Sequence, residues 1–313
     1  MSVTRSVSKA TEIIIVGGGA AGLAAAVALG RSRRKVTLID AGEPRNAPAQ
    51  HAHNVLGQEG VNPLDLLARG RAEAKGYGVD VRHGLVTAAR RENNRSFTVE
   101  SSTGTFTARR IILATGLVDV LPEIPGLSSG WGKDVLHCPY CHGWEVRDSR
   151  IVVLGTSPMS IHQALLFSQL SDQVTFVIHD LAAQPDATAA KRLANVGVDV
   201  IKGKVSQVER DGSGVRLVFG DTPKSFDCDN LVVAPLFQPR TNLYEQLGGV
   251  PKDVPAMQAQ MIPIDPPGRT PVDGVWAIGN SVDMAKMVVG AASDGVLAAA
   301  QINMELIMED ASR

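Results

Sequence analysis

Apolar positions in this chain fall into two periods, short β-branched runs and longer stretches with helical spacing. Residues 12–16 form a β-branched run that closes on Gly17-Gly18-Gly19-Ala20-Ala21-Gly22. An Ala-rich helical stretch continues to Leu29, and a second strand over 35–39 ends at Asp40. Strand, glycine turn, helix, strand and acid in that order predict a βαβ unit. Residues 41–60 are punctuated by Pro and Gly and read as loop. The spacing over 63–75 predicts an amphipathic helix, and 79–87, 95–100 and 104–114 alternate or run apolar, as strands of a small β layer do.

The same pattern returns further on. Turn-rich residues 121–126 predict a first domain crossing. A second βαβ-like unit follows, with a strand over 150–154, a turn at Gly155, a helix over 160–170 and a strand over 173–178. Residues 235–239 read as the crossing back and 251–271 as a proline-rich loop. Residues 274–280 predict a last strand and turn, and 284–308 a closing helix with Ala and Gly on many turns.

At 313 residues the chain is about twice the usual domain length, which fits two domains or one large one. Its formal net charge of -1, with dispersed Lys and Arg, offers no footprint for nucleic acid or an anionic membrane. No apolar run reaches the roughly eighteen residues a membrane span needs, and 288–300 is interrupted by Ser293, Asp294 and Gly295. Residues 1–11 lack the apolar core of a secretory leader, so a cytoplasmic enzyme is expected.

Two stretches carry candidate chemistry. In the first glycine turn, Gly17 permits the tight bend, Gly19 lets backbone approach a pyrophosphate and Gly22 lets helix and strand pack closely. The phosphates then rest on the helix N-terminus. Asp40 lies 18 residues past Gly22, where an acid accepts hydrogen bonds from a ribose. The second stretch is Cys138-Pro139-Tyr140-Cys141-His142-Gly143-Trp144-Glu145. Two cysteines so spaced face each other across one helical turn and close into a readily opened disulfide. A cysteine at a helix start beside an imidazole has its pKa lowered from about 8.5 to about 7 or below. His142 is placed to move the proton that thiol-disulfide exchange requires. Zinc wants four ligands and no second cysteine pair exists, so no metal is expected; Cys228, alone in an apolar run over 226–234, reads as a small core residue. His51 and His53 read as the polar wall of a pocket.

The second nucleotide loop is eroded. It has Gly155, Ser157 and Ser160 where small residues are wanted, and Pro158 removes a backbone donor at the helix start. After His179-Asp180 no Arg occurs before Arg192, so the usual grip on an NADPH 2′-phosphate is missing, although Asp180 suits an NAD ribose. NADP(H) is therefore not counted among the firm cofactors.

These pieces in this order resemble the low-molecular-weight thioredoxin reductase family over nearly the whole chain. The resemblance rests on Gly17 to Gly22 with Asp40, Ala114-Thr115-Gly116, residues 121–126, the C-x-x-C in the middle and Gly279-Asn280 before the last helix. It implies an α/β fold of two Rossmann-like, three-layer ββα nucleotide-binding domains, the second inserted in the first. Residues 1–117 and 241–313 would form the FAD-binding domain, and 118–240 a pyridine-nucleotide-like domain carrying the C-x-x-C. It also implies a homodimer, with Cys141 facing the flavin and Cys138 exchanging with substrate. FAD contacts implied by the resemblance are Gly17, Gly19, Ala20, Ala21, Gly22, Asp40, Ala41, Arg45, Asn54, Val86, Ala114, Thr115, Gly116, Gly279, Asn280, Met287 and Val288.

Three positions depart from the reductase pattern. His142 stands where an acid is usual, Asn280 where an Asp is usual, and Met287-Val288-Val289 where the reductases carry Arg-Gln-Ala. With the eroded loop, these are similar to the dithiol oxidase branch that closes the disulfides of gliotoxin, holomycin and romidepsin. The expected activity is then oxidation of a small-molecule dithiol by FAD and dioxygen, yielding hydrogen peroxide, with Cys138, Cys141 and His142 as the catalytic set. The alternatives are an NAD(P)H-dependent thioredoxin-disulfide reductase and a related flavoprotein fed by another donor such as ferredoxin.

Overall fold

In the computed structural model, which describes residues 11–92, 96–210, 212, 214–220 and 224–312, the first apolar run forms a strand, Ile13–Val16, buried on both faces. Residues 1–10, most of the expected non-leader, and residue 95 of the expected 95–100 strand lie outside the described residues. Ile13 and Ile15 pack with the helices, whereas Ile14 and Val16 pack with an antiparallel layer on the other side. Burial on both faces is why the run is continuously apolar rather than alternating.

This strand is the centre of a five-stranded parallel sheet, ordered Val275–Ala277, Arg110–Leu113, Ile13–Val16, Val36–Asp40, Asp80–His83. Helix Ala20–Arg31 and the closing helix Val288–Ala311 cover one face; the three-stranded sheet Val86–Arg91, Phe97–Ser101, Gly104–Ala108 covers the other. A second five-stranded parallel sheet repeats the plan in the order Asp199–Lys202, Val174–Ile178, Ile151–Gly155, Asn230–Val233, Val135–Leu136. Its helices Met159–Phe167 and Ala187–Asn195 lie on one side and the sheet Val205–Arg210, Val215–Phe219, Ser225–Cys228 on the other. The fold is α/β, with two Rossmann-like units of three layers each. Because Val275–Ala277 completes the first sheet after the second has been built, the second unit is inserted in the first.

The chain passes between units along a two-stranded ribbon, Leu117–Val120 paired antiparallel with Leu236–Pro239. Residues 235–239, expected as the crossing back, make that crossing, mostly as strand. Other boundaries also differ from expectation for local reasons. The run 79–87 divides between the parallel sheet and the antiparallel layer, and 104–114 divides at Arg109 and Arg110. Arg109 leaves the sheet to pair with Glu309 and Asp310 of the closing helix, and Arg110 pairs with Glu309. The apolar run 226–234 likewise breaks at Asp229, which pairs with Arg150, so Cys228 and Asn230 belong to different sheets. Cys228 is a buried core residue, as expected, and burial pushes its thiol up to about 12.

The closing helix starts at Val288 rather than 284. The Asn280 side-chain amide donates to the carbonyls of Asp283 and Lys286, at 3.1 and 3.0 Å, and holds that segment as a loop. Gly295 then brings the closing helix against Ala20–Arg31: a Cβ there would lie 2.2 Å from the Ala21 carbonyl oxygen and 2.8 Å from the Ala25 nitrogen. Both obstacles are backbone, so neither can swing aside. Gly295→Ala should therefore destabilise the protein by about 1–3 kcal/mol. A urea-unfolding midpoint equal to the parent's would show that the two helices part without penalty.

Candidate active site

The first glycine turn sits where strands of the first sheet end. Gly17 has φ of +105°, and a Cβ on it would fall 2.3 Å from the Ala114 carbonyl oxygen. A Cβ on Gly22 would fall 1.9 Å from the Gly17 carbonyl oxygen, so neither position accepts another residue without backbone movement. Gly19 is different, because nothing lies within 4 Å of its Cβ direction and it caps helix Ala20–Arg31 with no side chain. The turn is shut behind and open in front, which suits close approach of a diphosphate to helix N–H groups.

Asp40 borders the same opening, accepting the Gly18 N–H at 2.9 Å on Oδ1. Ala41 follows it, and Gly84, two residues before Val86, donates its N–H to the Asp40 carbonyl at 2.8 Å. Ala114, Thr115 and Gly116 leave the neighbouring strand, with open space beside Gly116. Gly279 and Asn280 leave the strand Val275–Ala277; a Cβ on Gly279 would lie 3.1 Å from the Ala21 Cβ, and the Gly279 N–H is held by Asp294 at 3.1 Å. The turns after four of the five parallel strands converge at one end of the sheet, where the strand order reverses and ligands of such sheets bind. Met287 and Val288 stand at the start of the closing helix, Met287 well exposed.

The second loop has the opposite character. The buried Ser160 hydroxyl oxygen accepts the Thr156 N–H at 3.2 Å and the Ser157 N–H at 3.4 Å, and Asp180 caps the turn that follows it by accepting the Ala182 N–H. His179 Nδ1 accepts the Val205 N–H at 3.0 Å. Donors and acid that would serve a dinucleotide are engaged within the protein.

Cys138 caps the short helix Pro139–His142, and both Cys138 and Cys141 are free thiols, half-buried. The thiol of Cys141 donates to the Cys138 sulfur. That contact, helped by the backbone N–H groups of Tyr140 and Cys141 and by the Arg45 charge, lowers the Cys138 pKa to about 7. Cys141 is driven the other way, first by giving its proton to that contact, then by burial and by the negative Cys138 sulfur. Burial keeps His142 below the ordinary imidazole range, against the opposing pull of Glu145, so it stands neutral near pH 7.

The loop 41–60 lies against this helix. The Asn54 side-chain amide donates to the Tyr140 carbonyl at 2.7 Å, and His53 Nε2 lies 3.3 Å from Glu145 Oε1. Arg45 forms a two-pronged pair with Asp119, 2.7 Å on each prong, and stacks 4.8 Å from the Phe237 ring centroid. Arg45 and Asn54, grouped in the sequence with cofactor contacts, have their visible partners on the linking ribbon and the cysteine helix. His53 lies between Glu59 and Glu145, and His51 Nδ1 bonds the Gly60 carbonyl at 3.0 Å. No group of three or more metal-ligating side chains occurs among the described residues.

Sequence reasoning overlooked several participants. Asp119 and Phe237 lie in a ribbon the sequence did not reveal as strands, and Gln163, which donates to the His137 carbonyl at 2.9 Å, gave no periodic signal. Glu145 was within the cysteine motif, but its partner is 92 residues away in the chain.

Two nucleotide-type folds with a close thiol pair on the second define a thiol-disulfide oxidoreductase. The chain belongs to the pyridine nucleotide-disulphide oxidoreductase family, whose profile matches residues 11–299. It is 30% identical over 315 residues to thioredoxin reductase tcpT of Claviceps purpurea, covering 97% of each chain. The crystal structure of HlmI superposes with a TM-score of 0.92 at 38% identity, covering 99% of this chain and 96% of that one. The oxidoreductase from Agrobacterium tumefaciens superposes at 0.88 with 35% identity, covering 96% and 99%. The protein is thus a thioredoxin-reductase-like oxidoreductase, and no helix among its described residues is long and apolar enough to cross a membrane.

The thiol pair can be read directly. In the reduced protein, alkylation of Cys138 by iodoacetamide should rise with pH through a midpoint near 7, because only the thiolate reacts. Cys141→Ala removes the donor to that sulfur and should move the midpoint upward. Mass spectrometry of the labelled peptide checks both, and a midpoint unmoved in the variant would contradict the assigned contact.

Proposed function

We propose that this chain is an FAD-dependent oxidase of a small-molecule dithiol, closing an intramolecular disulfide in its substrate with dioxygen as acceptor and hydrogen peroxide as product. The observation that carries this reading is the contrast between the two loops: the first glycine turn is open at Gly19, whereas Ser160 satisfies the second from within. Electrons then enter through sulfur. Residues 1–117 and 241–313 hold FAD, and 118–240 carry the cysteine pair.

The residues at the first turn fit the cofactor. Gly17, Gly19, Ala20, Ala21 and Gly22 receive its diphosphate, Asp40 and Ala41 its ribose, and Ala114, Thr115, Gly116, Val86, Gly279 and Asn280 close around it. Arg45 and Asn54, on the loop that meets the cysteine helix, and Met287 and Val288, at the start of the closing helix, would complete its surroundings. When bound, FAD takes two electrons from the cysteine pair and passes them to dioxygen.

The sulfur chemistry follows from the asymmetry of the pair. A substrate thiolate attacks the Cys138–Cys141 disulfide at Cys138, forming a mixed disulfide and releasing Cys141. The second substrate thiol then attacks its sulfur partner and expels Cys138, whose low pKa makes it the better leaving group. His142, neutral and adjacent, takes and returns the protons these steps move. The protein works in the cytoplasm as a homodimer. Support for the dimer comes from an exposed apolar stripe on the closing helix, formed by Val289, Val296, Leu297, Met304 and Met308.

The name of the Claviceps relative favours a second reading, in which NAD(P)H reduces the flavin and the cysteines reduce a thioredoxin-like protein. One anaerobic titration separates the two. The yellow protein should bleach on adding a small dithiol and recolour in air with about one peroxide per two electrons, and NADPH should leave it yellow. Rapid bleaching by NADPH would overturn the oxidase reading. Cys138→Ser and Cys141→Ser should keep the flavin yet lose turnover by at least about a hundredfold.

A further inference from the structure

Lysine side chains ordinarily carry their charge out to water, but that of Lys286 is folded back along the closing helix. Its stem passes over Gly290, with Cγ 3.9 Å from where a Cβ would stand, and its ammonium ends 2.5 Å from each carboxylate oxygen of Asp294. Only 23% of the lysine side chain and 19% of the acid's remain exposed. Asp294 is engaged a second time, because Oδ2 accepts the N–H of buried Gly279 at 3.1 Å. The residues on either side of this contact pack on the first turn of helix Ala20–Arg31. A Cβ on Gly279 would lie 3.1 Å from the Ala21 Cβ, and one on Gly295, next after Asp294, would lie 2.2 Å from the Ala21 carbonyl oxygen. The backbone of Lys286 is fixed as well, since the Asn280 amide donates to the carbonyls of Asp283, Met284 and Lys286 at 3.1, 3.4 and 3.0 Å. A carboxylate at 280 could donate to none of them, which is a reason for Asn rather than Asp there.

Helix Ala20–Arg31 has no acid in its first turn and no side-chain cap, as suits a helix whose positive end receives an anion. Asp294 brings an acid to that end from a neighbouring element. A bare carboxylate beside Ala21 would compete with a diphosphate for the same positive end and repel it. We propose that Lys286 is a positioning residue for FAD that works through Asp294: it cancels the carboxylate that holds Gly279, so that the glycine turn stays closed by an acceptor without setting a net negative charge against the diphosphate. The inference rests on the reading of the first glycine turn as the FAD site and adds to that site two residues outside the turn. Lys286 removes an opposing charge and is not itself a ligand of the cofactor. Both members of the pair are mostly buried, where water and salt screen charges weakly, so the cancellation counts for more than it would at the surface. Asp40, the other acid at this opening, has its Oδ1 on the Gly18 N–H and is the ribose acceptor of that same reading.

The test measures binding alone, so it needs no dithiol, dioxygen or nicotinamide. Holoprotein is dialysed against a series of FAD concentrations, and the fraction of chains retaining the flavin is read from its absorbance. Lys286→Met keeps the stem over Gly290 but leaves the carboxylate uncancelled, and should raise the Kd for FAD by about tenfold or more. Asp294→Asn keeps an acceptor for the Gly279 N–H while freeing the ammonium, and should hold FAD at least as tightly as the parent. The two substitutions together should return the Kd to within about threefold of the parent, because the penalty of the first depends on the charge removed by the second. Lys286→Arg should retain FAD. If the pair were only a clamp on the loop, both single variants would lose FAD alike and the double variant would be no better than Lys286→Met; that pattern would overturn the proposal. So would weaker binding by Asp294→Asn alone, a result that stands even if Lys286→Met fails to fold by its urea midpoint. Failure of the parent itself to hold FAD would instead sink the reading of the glycine turn on which the proposal rests.

Discussion

One proton shared unequally between two sulfurs sets the terms for the rest of this molecule. Cys138 accepts from Cys141, so one sulfur is a thiolate near neutrality and the other is a thiol well above it. Reactivity and leaving ability therefore lie with Cys138, and the need for a base lies with Cys141. Structural features around the pair follow this division. The backbone N–H groups of Tyr140 and Cys141 favour the Cys138 thiolate, and partial burial keeps the imidazole that follows Cys141 neutral. A symmetric pair, with equal pKa values, would leave the direction of exchange undetermined.

The same three-layer unit is used twice, with one loop changed. In the first unit, Gly19 leaves the space in front of the helix free of a Cβ, and no side chain caps the helix start. In the second, a single hydroxyl turns two backbone donors inward. A hydrogen bond of this kind contributes only about 0.5–1.5 kcal/mol to stability. Its effect on binding is larger, because an anion must now break it before it can be received. The second unit keeps its sheet, its helices and its core, and it carries the cysteines.

Much of the fold was legible in the sequence because its main signals are local. Buried parallel strands read as continuous apolar runs, and Gly17 and Gly22 are demanded by contacts a Cβ would violate within a few ångströms. The cysteine helix was legible for the same reason. Illegible features were those whose cause lies far along the chain. Residues 104–114 look like one strand until Glu309 and Asp310 draw Arg109 out of line. The closing helix looks four residues longer until Asn280 ties its lead-in to a loop. Of the candidate site, the thiol pair and its imidazole were visible. Arg45 was visible as a residue but not as the partner of Asp119 and Phe237, since neither a charge in a short ribbon nor a lone aromatic carries periodicity.

The strength of the junction between units decides what kind of cycle the protein can run. Besides the ribbon, contacts that seat the cysteine helix on the first unit include the Asn54 amide on the Tyr140 carbonyl and the His53–Glu145 pair. The first is a neutral hydrogen bond, with a net value of about 0.5–1.5 kcal/mol, and the second a partly exposed ion pair of about 0–1 kcal/mol. Neither of these two contacts by itself locks the two units. What favours the docked state is its completeness: with the units together, the Asn54 amide reaches the cysteine helix, the Arg45 charge bears on both sulfurs and His53 stands beside Glu145. A reductase that must admit a nicotinamide to its flavin has to leave this state on every turnover. A protein that takes electrons through sulfur can stay in it.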